Sequence, residues 1–186
     1  MHAAMIPLKT SRLILSTPGL DDAEEMLDYY QRNRLNFQPW EPKREESYYA
    51  VDAIHTRISA MNKNMLEQTA LHLLLRGPDS ERIIGVCGFT NIVRGPFQAC
   101  HLGFSICQGF QGKGLMYEAL QCVIGYVFNE LALHRVMANY RPENKRSHHL
   151  LQRLGFEQEG HARSYLNIDG CWKDHILTSL INEASR

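Results

Sequence analysis

The sequence has 186 residues, in which 20 lysines and arginines balance 20 aspartates and glutamates. This length suits one domain with its own core, and the balanced charge excludes the general basic field that drives nonspecific nucleic-acid binding. The five cysteines form no C-x-x-C pair, and no zinc or other metal site is predicted. No apolar signal core or membrane-spanning run is visible, so we expect a cytoplasmic protein with no membrane partner and no sequence-specific nucleic-acid binding.

The first half of the chain predicts helices followed by strands. Residues 11–16 predict a strand, and two helical segments follow, the second over 47–68. Between them, Pro39 and Pro42 bracket Trp40 and predict a stiff, irregular loop. Trp40 either packs on the core or lines a substrate site. An antiparallel meander of strands is then predicted over residues 70–76, 83–93 and 99–107.

A glycine-rich turn over residues 109–114 joins the third of these strands to a predicted helix over 115–131. A helix start leaves N–H groups without partners and carries partial positive charge, which favours an anion. Gly112 and Gly114 remove Cβ atoms and permit positive φ angles. We therefore predict a phosphate or pyrophosphate site, although for the glycines alone an ordinary loop is the alternative.

Two common phosphate loops do not fit this turn. The P-loop pattern fails because Gly114, instead of Ser or Thr, follows Gly112-Lys113. The dinucleotide pattern fails because Tyr117 stands where its third glycine should be. A strand over 134–140 completes a right-handed strand–helix–strand unit, so its strand and the one ending at 107 should run parallel.

A second polar group follows in the next predicted helix. Asn144, Ser147 and Leu151 are spaced i, i+3, i+7 and share one helix face. By themselves, Asn144 or Ser147 could simply cap the helix.

Taken with this second segment, the residues from Gln111 to Met116 resemble the pyrophosphate loop of the GCN5-related N-acetyltransferases, Gln/Arg-x-x-Gly-x-Gly/Ala, except that Met116 replaces Gly or Ala. The pattern Asn-x-x-Ser-x-x-Leu-Leu-x-x-x-Gly-Phe, beginning at Asn144, resembles the second acetyl-CoA segment of that family. Further segments resemble its RimJ branch, which acetylates the N-terminal alanine of small-subunit ribosomal protein number five; they lie at 38–42, 91–95, 111–116, 134–140 and 169–175.

The resemblance covers about residues 10–180 of a single acetyltransferase domain, 1–186. It implies an α/β (α+β) fold: a mixed, mostly antiparallel sheet of about six to seven strands, flanked by helices, with two splayed central parallel strands and acetyl-CoA in the gap. The implied cofactor-binding residues are Phe104, Ser105, Ile106, Gln111, Gly112, Lys113, Gly114, Leu115, Met116, Tyr117, Asn144 and Ser147.

The resemblance also implies catalytic roles for Asn144 and Ser147. Many relatives place a proton-donating tyrosine where this chain has Leu151, so Ser147 is the candidate donor to the departing thiolate. The base is less defined. Candidates are Glu41, which we favour, and Glu159, His101 and Asp174, whereas Leu166 stands where another ribosomal-protein branch has a glutamate. The acceptor is expected against Trp40, Glu41 and Tyr165.

The implied function is direct acetyl transfer from acetyl-CoA to the N-terminal alanine of a ribosomal protein, free or in the small subunit. An α-amine has a pKa of about 7.7–8.0 against about 10.4 for lysine, so it is partly neutral at pH 7 and needs only a weak base. Two alternatives remain. One is acetylation of a small amine such as a polyamine or aminoglycoside, and the other is a non-catalytic CoA-binding factor in ribosome assembly.

Overall fold

The computed structural model describes residues 7–185. Residues 1–6, which belong to the stretch where no signal core is predicted, lie outside this range, as does residue 186. Four α-helices and eight strands are formed within the described range. The helices are α1 Ala23–Phe37, α2 Val51–Leu66, α3 Leu115–Asn129 and α4 Lys145–Arg153. The strands are β1 Leu8–Lys9, β2 Ile14–Ser16, β3 Leu71–Arg76, β4 Ile83–Val93, β5 Ala99–Ile106, β6 Arg135–Tyr140, β7 Glu157–Ile168 and β8 Cys171–Ile181.

All eight strands join one sheet in the order β1-β2-β3-β4-β5-β6-β8-β7. Within residues 7–185, β5 and β6 form its parallel pair and every other neighbouring pair is antiparallel. The predicted mixed, mostly antiparallel fold is confirmed. The sheet has more strands than the six to seven expected, and the two-residue β1 is one that the sequence pattern did not indicate.

Helices cover both faces of the sheet because the strands alternate their side chains. On β3, Leu73 and Leu75 belong to the large core packed against α3, whereas Leu74 belongs to a second core built with α1 and α2. The prediction of an irregular loop around Trp40 was partly wrong, since residues Gln38–Trp40 form a single 3-10 turn that continues from α1. Proline suits this position because it supplies the required φ without needing an amide donor.

The parallel strands part after three residue pairs. Ala99, Cys100 and His101 of β5 pair with Arg135, Val136 and Met137 of β6. Beyond them, β5 stays paired with β4 as far as Ile106, and β6 stays paired with β8 as far as Tyr140. Their facing edges therefore separate while each outer edge remains bonded, which is the predicted splay.

The described range was also searched for membrane-spanning helices and for groups of metal-binding side chains. None of its helices combines the length and the apolar character that crossing a bilayer demands. No group of three or more His, Cys, Asp or Glu side chains between residues 7 and 185 is placed to hold a metal ion.

Candidate active site

A cleft of about 600 Å³ opens where β5 and β6 part. Four segments line it: the turn after α1, the end of β5, the glycine loop before α3, and the start of α4. It brings together most of the predicted site residues, namely Trp40, Glu41, Phe104, Ser105, Ile106, Gln111, Gly112, Gly114, Leu115, Met116, Tyr117, Asn144 and Ser147.

The glycine loop has the predicted left-handed backbone. Gly112 has a φ of 72° and Gly114, the residue that caps α3, has a φ of 76°. A Cβ at Gly112 would meet no atom within 4 Å, so the strained backbone, and not crowding, is what requires glycine there. The start of α3, whose first amides have no partners within the helix, consequently lines the cleft.

An N-terminal segment holds this loop, and the sequence did not predict it. Glu118, in the first turn of α3, accepts hydrogen bonds from the Thr10 hydroxyl at 2.6 Å and the Arg12 Nε at 2.6 Å. Arg12 also donates from Nη1 to the carbonyl oxygen of Lys113 at 3.0 Å. The Thr10 hydroxyl, assisted by Arg12 and Ser11, lowers the pKa of Glu118 to about 2. The segment of residues 10–12 therefore fixes the glycine loop from outside the cleft.

The inner edge of β5 offers main-chain donors to the gap. The amide of Cys107 donates to the carbonyl oxygen of Ile84 at 2.8 Å, on the β4 side. Because amides alternate direction along a strand, those of Phe104 and Ile106 face the opposite edge, toward the gap. Ser105 forms a hydrogen bond with Tyr29, whose hydroxyl oxygen lies 2.9 Å from Ser105 Oγ. Burial raises the pKa of Tyr29, so this phenol stays protonated.

The start of α4 places Asn144 and Ser147 on the opposite side of the cleft. Asn144 Oδ1 accepts a hydrogen bond from the Ser147 amide at 3.1 Å. The capping role considered from the sequence is therefore present, and the side-chain NH₂ of Asn144 is the group left to meet a ligand. Leu151, one turn beyond Ser147, is only 1% exposed and carries no proton to give.

Three basic residues of α4 that were not predicted from the sequence also line the cleft: Lys145, Arg146 and Arg153. Arg146 Nη1 donates to Gln111 Oε1, and the Arg153 guanidinium lies 4.4 Å from the ring centroid of Tyr117. The i, i+7 spacing of the two arginines was the signal that could have indicated them. Lys113 is placed differently from expectation, since its Nζ lies over the Phe110 ring and it is not among the lining residues.

Glu41 lies on the cleft wall opposite α4. Burial raises the pKa of its carboxyl group, and the charges of Arg44 and Arg57 oppose that shift. The nearest guanidinium nitrogen, Arg44 Nη2, is 3.9 Å from Glu41 Oε2, which is too far for a strong hydrogen bond. A half-buried carboxylate with a raised pKa and a weak ion pair is suited to accept a proton.

The other candidate bases are placed away from the residues that line the cleft. Glu159 is bonded to Arg135 at 2.7 Å, and Asp174 accepts from the Ser164 amide at 2.8 Å; these contacts lower both pKa values. Burial lowers the pKa of His101, whose Nδ1 is enclosed in the sheet.

The two aromatic residues expected at the acceptor have different positions. Trp40 lines the cleft, and its ring lies 5.4 Å from the guanidinium carbon of Arg141, which also donates from Nη1 to the Pro39 carbonyl oxygen at 2.5 Å. Tyr165 is not among the lining residues, and its hydroxyl accepts a hydrogen bond from Asn139 Nδ2 at 3.2 Å. Arg141 therefore fixes the turn that carries Trp40 and Glu41.

A gap between two parted parallel strands, with a helix-start amide cradle at its mouth, defines an acyltransferase of the CoA-binding α/β class. Residues 12–157 match the Acetyltransferase (GNAT) domain, and the chain belongs to that family.

Two relatives place the chain within the family, and one more distant structure shares its fold. The chain is 48% identical to the Escherichia coli [ribosomal protein uS5]-alanine N-acetyltransferase over 94% of this chain and 90% of that protein. It is 35% identical to the Vibrio fischeri ribosomal-protein-S5-alanine acetyltransferase, whose crystal structure superposes with a TM-score of 0.92 and covers 97% of this chain and 99% of that one. Mycobacterium smegmatis RimJ, in complex with CoA-disulfide, shares the fold at 24% identity, with a TM-score of 0.87 and coverage of 92% of this chain and 83% of that one.

Proposed function

We propose that the chain transfers the acetyl group of acetyl-CoA to the N-terminal α-amine of a protein, namely the alanine of small-subunit ribosomal protein uS5. The observation that carries this proposal is the 48% identity to an enzyme of that name, which extends over 94% of the chain. The aligned stretch thus spans the acceptor side of the cleft, around Trp40 and Glu41, as well as the cofactor side.

The cofactor would lie in the gap between β5 and β6. Its pyrophosphate fits the amides of Gly112 to Tyr117, with Arg146 and Arg153 supplying positive charge at the same wall. Its pantetheine arm fits along the free edge of β5. The amides of Phe104 and Ile106 can then donate to the thioester carbonyl as it becomes an oxyanion, a contribution of about 3 kcal/mol per donor.

In the reaction, the amine nitrogen attacks the thioester carbon, a C–N bond forms, and the C–S bond breaks. The ammonium must first lose a proton, and Glu41 is the residue on the acceptor wall that we assign to receive it. An α-amine gives up this proton about 300-fold more readily than a lysine, because their pKa values differ by about 2.5. The site can therefore select an N-terminus without a strong base.

The leaving thiolate needs stabilisation on the other wall, and we assign this task to Ser147. A serine hydroxyl is too weak an acid to transfer its proton fully, so it acts by hydrogen bonding to the sulfur. The second proton, which the attacking nitrogen loses as the C–S bond breaks, reaches the thiolate through solvent. Asn144 would donate from its side-chain NH₂ to a pantetheine carbonyl.

The charge of the cleft argues against a polyamine acceptor. Its wall carries Lys145, Arg146 and Arg153 against Glu41 and Glu143. The acidic residues that line the cleft, Glu41 and Glu143, do not make the closed acidic pocket that a polycation would need. A purely CoA-binding role for the protein differs from the proposal in predicting no turnover.

One experiment tests the proposal against both alternatives. The protein is incubated with acetyl-CoA and peptides that differ only in residue one, together with spermidine and an Nα-blocked lysine peptide, and the products are weighed by mass spectrometry. Acetylation of alanine-initiated peptides alone is the expected result. Acetylation of spermidine or of the lysine side chain at comparable rates, or CoA binding without any product, would overturn it.

A further inference from the structure

A second cavity, of about 140 Å³, lies beside the acetyl-transfer cleft. Phe37 and Glu41 line both spaces, so the smaller cavity begins where the acceptor amine is expected. A peptide in extended form advances about 3.3–3.6 Å per residue. The residue that follows the acetylated one, or the next, would therefore reach this cavity.

Three cationic side chains line the smaller cavity: Arg34, Lys43 and Arg44. Arg34 is already neutralised, because its two terminal nitrogens bond to both carboxylate oxygens of Glu46 at 3.1 and 2.5 Å. Lys43 has no ion-pair partner among residues 7–185 within 4.0 Å, and Arg44 has only Glu41 at 3.9 Å. Two of the three cations are thus incompletely paired.

Arg44 is the better defined of the two. Its Nε atom is buried and has no hydrogen-bond partner in the described structure. Its guanidinium lies 4.4 Å from the ring centroid of Tyr48, and the guanidinium of Arg57 lies 3.5 Å from the same centroid. These stacked contacts hold Arg44 in place before any ligand arrives, which lowers the entropy that binding would cost.

Two acidic residues line this cavity: Glu41, which lies 3.9 Å from Arg44, and Asp169. Asp169 accepts from Gln38 Nε2 at 3.2 Å, and its amide donates to the Glu41 carbonyl oxygen at 3.0 Å. These bonds join the turn after α1 to the β7–β8 turn, and the three residues that form them line the cavity. The cavity therefore combines a cross-linked wall with an arginine that lacks a hydrogen-bond acceptor, which suits a carboxylate.

We propose that this cavity is an acceptor subsite that takes an acidic side chain at the second or third position of the substrate, and that Arg44 determines this specificity. The inference rests on the proposed function, since it assumes a peptide whose amine lies at Glu41. Carboxylate and guanidinium pair in a two-pronged geometry that an amide side chain cannot match.

The test compares alanine-initiated, C-terminally amidated peptides that carry Glu or Gln at position two or three, so the glutamate is the carboxylate under study. We expect the Glu peptide to have about tenfold higher kcat/KM than the Gln peptide at one of the two positions, and Arg44→Gln to reduce this ratio to about one. The ratio cancels any effect of Arg44 on Glu41, because both peptides share the same chemistry. Arg82→Gln, an exposed arginine outside both cavities, is the matched control and should leave the ratio unchanged.

Equal rates for the Glu and Gln peptides, a preference for Gln, or a ratio that Arg44→Gln leaves unaltered would overturn the subsite. The proposed function fails separately, if neither alanine peptide is acetylated. In that case calorimetric titration of the same peptides into the CoA complex still gives the Glu-to-Gln affinity ratio. A tenfold ratio that Arg44→Gln abolishes supports the subsite, and a ratio near one refutes it.

Discussion

His101 of β5 lies opposite Met137 of β6, and this is the last pair that joins the two central strands. From that point the edges diverge, and the cleft occupies the space that continued pairing would have filled. The same divergence leaves the amides of Phe104 and Ile106 without strand partners on the inner side. The unpaired main chain is thus both the opening for a cofactor and the set of donors that can hold it.

The backbone of Gly112 gives the first prediction. Gly112→Val should weaken CoA binding by about tenfold or more, because a branched residue at a φ of 72° is strained by about 1–2 kcal/mol and would turn the amides away. Gly95→Val is the control, since Gly95 also has a positive φ, of 70°, and open surroundings but does not line the cleft. Calorimetric titration with CoA should separate the two variants. Equal losses of affinity would show that strain alone, and not the cradle, is responsible.

Ser147 gives the second prediction. Ser147→Ala should lower kcat by about 10- to 100-fold with little change in KM for acetyl-CoA, because the lost hydrogen bond acts on the departing sulfur. The substitution spares the helix, since Asn144 caps it through the Ser147 main-chain amide. Single-turnover acetylation at saturating peptide is the measurement, with Ser80→Ala, on the β3–β4 connection, as control. An unchanged rate would remove Ser147 from the mechanism.

Glu41 gives the third prediction, through the pH profile. Its carboxylate form must accept the proton, so kcat/KM should rise with pH through a pKa that burial places above the usual glutamate range. Glu41→Gln should lower the rate and abolish that inflection, leaving only the titration of the substrate amine. Asp174→Asn, which lies away from the cleft, should retain the inflection. An acidic limb of identical shape in Glu41→Gln would assign the base elsewhere.

The fourth prediction concerns Glu118 and stability. Its folded-state pKa of about 2 is below the unfolded value, so it stabilises the fold above the unfolded pKa and loses this effect as pH falls toward 2. Glu118→Gln should cost about 2 kcal/mol at pH 7, reduced from the full linkage value by solvent near the ion pair, and the cost should shrink below pH 4. Denaturant unfolding measures it.

The control for this stability change is Glu46→Gln, because Glu46 pairs with Arg34 in an exposed position. It should cost much less than Glu118→Gln, because solvent screens an exposed ion pair. A Glu118→Gln difference that stays constant between pH 7 and pH 2.5 would mean that the charge of Glu118 is not what fastens the N-terminal segment to the loop.

The parts of the fold that local pattern controls were predicted well from the sequence. β4 was expected at 83–93 and is formed over Ile83–Val93, and the positive φ angles of Gly112 and Gly114 followed from the need to start α3 after a tight turn. The splay of β5 and β6 was predicted from the family resemblance. No local pattern indicates it, because it depends on which outer strand pairs with each of these two strands.

What the sequence did not yield depends on contacts between distant segments. Arg12 reaches Glu118 and Lys113 across more than a hundred residues, and nothing near Arg12 in the chain signals this. Tyr165 was expected at the acceptor, but it is not among the residues that line the cleft, and its hydroxyl accepts a hydrogen bond from Asn139. Lys113 was expected at the phosphates, but its side chain extends over Phe110. Side-chain direction at the end of a loop is set by tertiary packing, which spacing does not encode.

Backbone NMR of the ¹⁵N-labelled protein titrated with CoA can show whether a main-chain cradle between diverging strands holds the cofactor. We expect the largest shifts and the strongest slowing of amide exchange at Gly112 to Tyr117, Phe104 and Ile106, with β7 unaffected. Changes confined to lysine and arginine side chains, or amide protection centred on any other part of the sheet, would contradict it.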